Sequence, residues 1–453
     1  PRRQKDDTGD CRSYFRAMLT VERSQTQSYA GIFLFWLPLG VMWLMMAAEQ
    51  PLLTAVIARM PEAAVNLAAF GVVFAIALVA ESPIIQMLSA ATALTGNRWD
   101  YGMLLKLLHI LALALTALHA LVAFTPLYDL IVGGLLNVPE NVLETSRVPF
   151  AVMAPFSAAV GYRRFWQGTL IRHGKTWIVP ISILVRLVAV AAILLAGSRN
   201  TELSGAMLAA LALSGGVIVA AVTAGIMNRI MVVPGLPEPA EDEERLGWHG
   251  LLEFYVPLSL TTVVFLAARP MVTFGIARSQ MPELSLAVWP VINAFMFLFN
   301  SLALSYQEVA IALLKQNRAN YRKLSRFTIG MAAALSSGML LISVSPLRTI
   351  WFSQVSGLTP DLLALVPVPL LLLCVVPALV TVRSFSRARY VTRSRTRVLT
   401  AGAVVFTIVL FALVFTGPLV VSLPGAVIAA FAMVVANAAE NGYLLFGNPD
   451  KLL

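Results

Sequence analysis

The first half of this chain returns in the second. The run Phe35-Trp36-Leu37-Pro38-Leu39, continuing through Ala47-Ala48-Glu49-Gln50-Pro51 to Ile57-Ala58-Arg59, reappears as Phe254-Tyr255-Val256-Pro257-Leu258, Ala267-Ala268-Arg269-Pro270 and Ile276-Ala277-Arg278. The offset is constant at 219 (257 − 38 and 278 − 59), with no gap. Both copies are apolar and long enough to cross a bilayer, which takes about 20 residues. A membrane protein built from two like halves can rock one half against the other around a site held between them. The charges at the centre are not repeated: Gln50 becomes Arg269, and Glu49 becomes Ala268.

Charged residues make up only 12% of the chain and apolar ones 58%. Soluble domains carry about 25% charge, so the composition excludes an ordinary soluble protein. Apolar runs recur along the length and strand alternation is missing, which leaves an all-α polytopic membrane protein rather than a β-barrel. Twelve spans are expected, at about 29–56, 64–95, 103–127, 148–171, 176–197, 203–231, 250–277, 284–314, 325–345, 361–384, 397–416 and 422–446. They divide the chain into a tail (1–28), a first six-span lobe (29–231), a linker (232–248), a second lobe (249–446) and a short end (447–453). The linker is broken by Pro234, Gly235, Pro237 and Pro239 and is acidic at Glu238 and Glu241-Asp242-Glu243-Glu244, as a solvated tether would be. The tail has no short apolar segment with a cleavage site, so the first span is expected to do the targeting.

The net charge of +10 has a topological cause. With the N-terminus inside, 26 basic residues fall on the cytoplasmic side and five (Arg59, Arg147, Arg199, Arg278, Arg348) on the other, while Arg186 and Arg269 lie within spans. The positive-inside rule therefore places both termini in the cytoplasm of a multi-pass plasma (inner) membrane protein. Nucleic acid is not an expected partner; anionic lipid at the cytoplasmic face is. Six spans per half is an even number, so the repeats are parallel and related by an axis along the membrane normal. Further matches run in order: Met60-Pro61-Glu62 with Met281-Pro282-Glu283, Glu81-Ser82 with Asn300-Ser301, Tyr101 with Tyr321, and Arg163 and Phe165 with Arg383 and Phe385.

Ionisable residues inside a bilayer are costly and are functional candidates by default. Glu49 precedes Pro51 in the first span, Glu81 precedes Pro83 in the second, and Arg269 precedes Pro270 in the seventh. Each proline removes a backbone donor and frees a carbonyl one turn earlier, which could help a carboxylate hold a cation or proton. Asn293 and Asn300 are seven residues apart in the eighth span and share a face. The expectation is that Arg269, with Asn293 and Asn300, binds an anionic substrate. Glu49 and Glu81 are expected to form the coupling site for H+ or Na+, with no other cofactor. The competing reading pairs Glu49 with Arg269 across the two halves. Arg186 is read as structural, and Gln307 and Glu308 as lining a vestibule or lying at the interface. His109 and His119 have no acidic neighbour in their span, and Cys11 and Cys374 have no metal spacing, so no metal site is expected. The basic residues after the fourth and tenth spans, Arg163, Arg164, Arg172, Lys175, Arg383, Arg387, Arg389, Arg393, Arg395 and Arg397, are read as topology signals against anionic lipid, or as a funnel for anions. Nucleotide-hydrolysis and hydrolase motifs are missing, so an enzyme is not expected.

Glu49-Gln50, Arg269-Pro270 within 254–278, Pro149-Phe150 with Pro155-Phe156 at the fourth span, and the two basic turns resemble the progressive ankylosis (ANK) proteins. More broadly the six-plus-six pattern is similar to the superfamily of MATE-like multidrug transporters and oligosaccharidyl-lipid flippases. The resemblance implies a two-lobed fold, a central cavity formed by spans 1, 2, 7 and 8, alternating access, and export of small organic or polyphosphate anions. The alternatives are a flippase for lipid-linked oligosaccharide and a non-transporting subunit of a larger complex. The single-chain repeat is compatible with a functional monomer.

Overall fold

The computed structural model describes residues 28–199, 202–239, 245–393 and 396–446, apart from a few side chains within helices. The N-terminal tail with Cys11, the acidic run Glu241-Asp242-Glu243-Glu244, Arg395 and the last seven residues lie outside the described set. Among the described residues, twelve helical rods follow one another along the chain. The first half comprises α1 (Tyr29–Ala47, then Glu49–Ile57), α2 (Ala63–Ile85, then Met87–Leu94), α3 (Arg98–Phe124), α4 (Glu140–Val152, then Phe156–Arg172), α5 (Ile178–Gly197) and α6 (Gly205–Met231). The second half comprises α7 (Trp248–Leu266, then Ala268–Ala277), α8 (Pro282–Gln316), α9 (Tyr321–Val344), α10 (Pro360–Ala364, Pro367–Leu373 and Val376–Val391), α11 (Thr396–Val420) and α12 (Gly425–Phe446). Among the described residues, ten helices are long and apolar enough to span a membrane.

The repeat extends to the backbone irregularities. Pro51 and Pro270 cannot donate to the carbonyl four residues back, and α1 and α7 are interrupted at Ala48 and Ala267, 219 residues apart (267 − 48). Glu62 and Met281, also 219 apart, both take φ 52 as they turn into α2 and α8. The Met-Pro-Glu motif recurs 221 residues later, so its sequence match is two residues out of structural register. Short π-helical segments, π1 (Asp129–Leu135) and π2 (Ile350–Val355), follow α3 and α9. Neither was visible in the hydropathy. Asn137 (φ 55) and Gly357 (φ 75) then turn the chain at matching places.

Two expected boundaries move. The fourth rod begins at Glu140, about two turns before the apolar run, because an amphipathic segment carrying Glu140, Glu144 and Arg147 extends it. The tenth is three pieces, not one, with Pro360, Pro367 and Pro377 each at the start of a segment, where a missing donor costs least.

The halves meet along α2 and α8. Gly71 and Pro290 occupy equivalent positions (290 − 71 = 219) and face each other: a Cβ on Gly71 would lie 2.6 Å from Pro290 Cγ. Equivalent residues in mutual contact mark the pseudo-twofold axis. Other cross-half bonds follow the same symmetry. Trp36 in α1 donates to Ser305 Oγ in α8 (2.8 Å), and Tyr255 in α7, the repeat partner of Trp36, donates to the Pro83 carbonyl in α2 (2.7 Å). Below, the end of the bundle at which α1 finishes is called the far end, and the end bearing the chain start the near end.

Candidate functional site

Among the described residues, buried charges gather in two clusters, one in each half. In the first half Glu49 opens the second segment of α1 and accepts from Arg186 Nη2 of α5 at 2.8 Å. Glu81 in α2 is only 6% exposed, and its Oε2 has no hydrogen-bond partner. It lies in the field of Arg164, Arg163 and Arg186 without forming an ion pair with any of them. Arg163 points into the bundle from α4, and its Nε is likewise unpartnered.

In the second half Glu440 of α12 is fully buried and holds two arginines of α10. Its Oε2 accepts from Arg383 Nη1 at 2.9 Å and its Oε1 from Arg387 Nη2 at 2.8 Å. Arg383 also donates to Asn437 Oδ1 at 3.2 Å. The two arginines stand one turn apart on α10, and Asn437 and Glu440 three residues apart on α12, so each pair shares a face. Two cations share one carboxylate.

A cavity of about 440 Å³ opens against this second cluster. Arg383, Arg387 and Asn437 form one wall; Asn293, Asn300, Gln307 and Glu308 of α8 form another, with Trp43 of α1 reaching in from the first half. Along α8 the lining runs from Trp289, about two turns from the far-end start of the helix, to Glu308, about five turns on toward the near end. Gly71 and Pro290 close the bundle on the far side of it.

Several sequence expectations are corrected. The cavity is not built evenly from spans 1, 2, 7 and 8: α2 lines none of it, and α10, α11 and α12 supply much of the wall. Glu49 pairs with Arg186 in its own half. The backbone of Arg269 falls in the first turn of the second segment of α7, next to the lining residue Ala268; its side chain lies outside the described set. The carbonyl that Pro83 leaves without a backbone donor, that of Val79, accepts from Ser82 Oγ at 2.6 Å. Asn293 and Asn300 both face the cavity, whereas Glu49 and Glu81 do not line it. Arg163 and Arg383, read as topology signals against anionic lipid or as part of an anion funnel, are 4% and 8% exposed and turn inward, away from lipid. His119 bonds the Phe150 carbonyl at 2.7 Å and stacks on its ring, a packing role. Glu440 and Asn437 were not singled out in the sequence. Their signal was a polar stripe, Asn437, Glu440 and Asn441, at helical spacing in an otherwise apolar span.

The fold is shared with known structures. An inward-facing MATE-family multidrug transporter of the MOP superfamily superposes with a TM-score of 0.74 at 12% identity, over 90% of this chain and 97% of that one. An outward-facing MATE-family structure gives 0.59 at 14% identity, over 91% and 94%. The lipid II flippase MurJ, in an inward closed conformation, gives 0.70 at 13% identity, over 91% and 87%. No curated protein matches the sequence. The sequence profile of the progressive ankylosis protein (ANKH) family matches residues 20–316, about two thirds of the chain, and the protein belongs to that family.

Proposed function

We propose that the protein moves small organic or polyphosphate anions across the membrane by alternating access, with the substrate bound in the cavity beside α10. The carrying observation is the pair Arg383 and Arg387 in the cavity wall with Glu440 as their one shared counter-charge. A guanidinium presents a planar fork of donors that suits carboxylate and phosphate oxygens. An entering anion would find a donor set only partly neutralised, with Asn293 and Asn300 across from it. Arg269, one residue from the lining, would join this site from α7. The chain would sit in the plasma (inner) membrane with its near end in the cytoplasm, by the distribution of basic residues. The higher TM-score to an inward-facing relative than to an outward-facing one, 0.74 against 0.59, fits a cavity reached from that end.

Glu81 is the coupling group in this reading, with Glu49 and Arg186 as its fixed neighbours. A buried carboxylate with an unpartnered oxygen can take up H+ or Na+. The test is uptake of labelled citrate, nucleotide and pyrophosphate into proteoliposomes. Carriage of one of these, abolished by Arg383→Ala or Arg269→Ala and deprived of its response to a pH or Na+ gradient by Glu81→Gln, supports the assignment. Failure of the intact chain to carry any anion would sink it.

A flippase for a lipid-linked substrate has one observation in its favour: an apolar groove of about 430 Å³ between α1 and α5, lined by Phe35, Pro38, Met42, Met45, Trp177 and Pro180. A lipid tail could lie there. Transfer of a lipid-linked pyrophosphate between leaflets, without uptake of any soluble anion, would favour that reading.

A further inference from the structure

We propose that Arg59 and Arg278 form a paired latch, each arginine reaching across to the other half and capping the end of its π-helical segment, so that release of both opens the far end. Arg59 follows α1 and Arg278 follows α7; they are repeat partners at the offset of 219 (278 − 59). Arg59 Nη2 donates to the carbonyl of Gln354, at the end of π2. Arg278 Nη2 donates to the carbonyl of Leu135 at 3.0 Å, at the end of π1, and its Nη1 to that of Leu136, also at 3.0 Å. Leu135 and Gln354 are themselves 219 apart (354 − 135). The contact therefore occurs twice, related by the same axis that brings Gly71 onto Pro290.

The acceptors are available for a structural reason. The last carbonyls of a helical segment have no donor within it. In π1 the closing bonds run from Leu136 to the Ile131 carbonyl and from Val138 to the Val132 carbonyl. In π2 they run from Ser356 to Trp351 and from Leu358 to Phe352. Both sets stop short of the carbonyls that the arginines take. Each guanidinium is also held from its own side. Arg59 Nη1 donates to the Ala55 carbonyl at 2.6 Å, and the Arg278 guanidinium lies 3.7 Å from the centre of the Phe274 ring. Gly357 makes room for the first latch: a Cβ there would lie 2.9 Å from Arg59 Cγ and Nη1. A third cross-half bond at this end, Asn141 to Glu283 Oε2 at 2.8 Å, has no repeat counterpart among these residue types, since position 360 is proline and position 64 alanine.

The latches flank the axis, so rocking the halves apart at the far end must break both. They lie at the rim, where water can replace the lost carbonyl bonds, so the latch is weak enough to cycle. The near end has the Trp36–Ser305 and Tyr255–Pro83 contacts between rods. This inference rests on the alternating-access reading, and its test is independent of any substrate.

The full chain carrying Cys11→Ser and Cys374→Ser is placed in lipid nanodiscs with spin labels on Glu140→Cys and Asp361→Cys, exposed positions at the far ends of α4 and α10. Electron–electron resonance then reads the separation of the halves. The latched parent should be dominated by one short distance. Arg59→Ala with Arg278→Ala should raise the long-distance population on the order of tenfold, and each single change should raise it less. Gly357→Ala, which keeps both charges but crowds Arg59, should reproduce the Arg59→Ala distribution. Unchanged distances in the folded double variant overturn the latch; if that variant does not fold, unchanged distances in Gly357→Ala do so. Parallel uptake assays separate the two readings. Shifted distances in a chain that carries no anion leave the latch standing and remove the transport proposal. Anion uptake with unmoved distances does the reverse.

Discussion

Toward the near end of the fourth rod of each half an arginine turns into the bundle, Arg163 in α4 and Arg383 in α10, 220 residues apart (383 − 163). What surrounds them differs. Arg163 has no ion pair, and the carboxylates of its half are separated, Glu49 bound to Arg186 and Glu81 with an unpartnered oxygen. Arg383 shares Glu440 with Arg387 and faces the cavity. Duplication has kept much of the backbone, including the interruptions at Ala48 and Ala267, while the polar contents have diverged. One half holds its carboxylates apart from the cavity, and the other presents Arg383 and Arg387 to it, with Glu308 on the facing wall. That asymmetry is the basis of the proposed division between coupling and substrate recognition.

The comparison breaks first at Glu440. Glu440→Ala strands two guanidiniums, the buried Arg383 and the quarter-exposed Arg387, and removing one partner of a buried pair costs about 3–5 kcal/mol. Glu49→Ala strands only one, Arg186, so its cost should be smaller. Thermal unfolding followed by a thiol-reactive or tryptophan signal should rank Glu440→Ala below Glu49→Ala in stability. Equal melting temperatures would mean that the two clusters are energetically alike, whatever their geometry.

Next in size is Arg387→Ala. Glu440 keeps Arg383, so the fold should survive, but the cavity loses half its cationic wall. Loss of a charge-assisted contact to a bound anion is worth about 1.5–3 kcal/mol, or roughly tenfold to a hundredfold in KM for uptake. Arg164→Ala, the change in the other half, should leave KM within about threefold, because Arg164 does not line the cavity. Equal effects from both would place the substrate between the clusters, not at the second one.

Much of this asymmetry was readable in the sequence and some was not. Exchange of Gln50 for Arg269 and of Glu49 for Ala268 announced it, and the seven-residue spacing of Asn293 and Asn300 put them on one face. The topology count misled at Arg163 and Arg383. An arginine near the cytoplasmic end of a span satisfies the positive-inside rule whichever way it points, and only packing decides that Arg383 meets Glu440. Glu440 itself sits late in the last helix, where a carboxylate is expected to reach water. Its burial depends on α10 and α11 covering that face, as where a Cβ on Gly402 would lie 3.6 Å from Glu440 Cγ. The π segments carry no hydropathy signature because apolar content does not encode whether a turn closes with i→i+4 or i→i+5 hydrogen bonds.

Gly71→Ala tests the axis that makes the halves comparable. The added Cβ would sit 2.6 Å from Pro290 Cγ, against a ring that cannot rotate away. Overpacking of this kind costs about 1–3 kcal/mol, and here it should also lengthen the spin-label distance across the far end. A melting temperature equal to that of the parent would show that α2 and α8 are not tightly apposed at this point.

The smallest effect has the opposite sign. Gly330 lies in α9 with no atom within 4 Å of where its Cβ would be, and its equivalents in α3 at the two offsets are Leu111 and Ile110. The backbone there accommodates a side chain in one half, so it should do so in the other. Gly330→Ala removes conformational freedom from the unfolded chain and should stabilise the protein by about 0.5–1 kcal/mol, with uptake unchanged. Set beside Gly71→Ala, it separates a glycine required by contact across the axis from one that is merely tolerated. If Gly330→Ala instead destabilised the protein, the equivalence of α3 and α9 would fail at that turn, and with it the assumption that matched positions have matched surroundings outside the clusters.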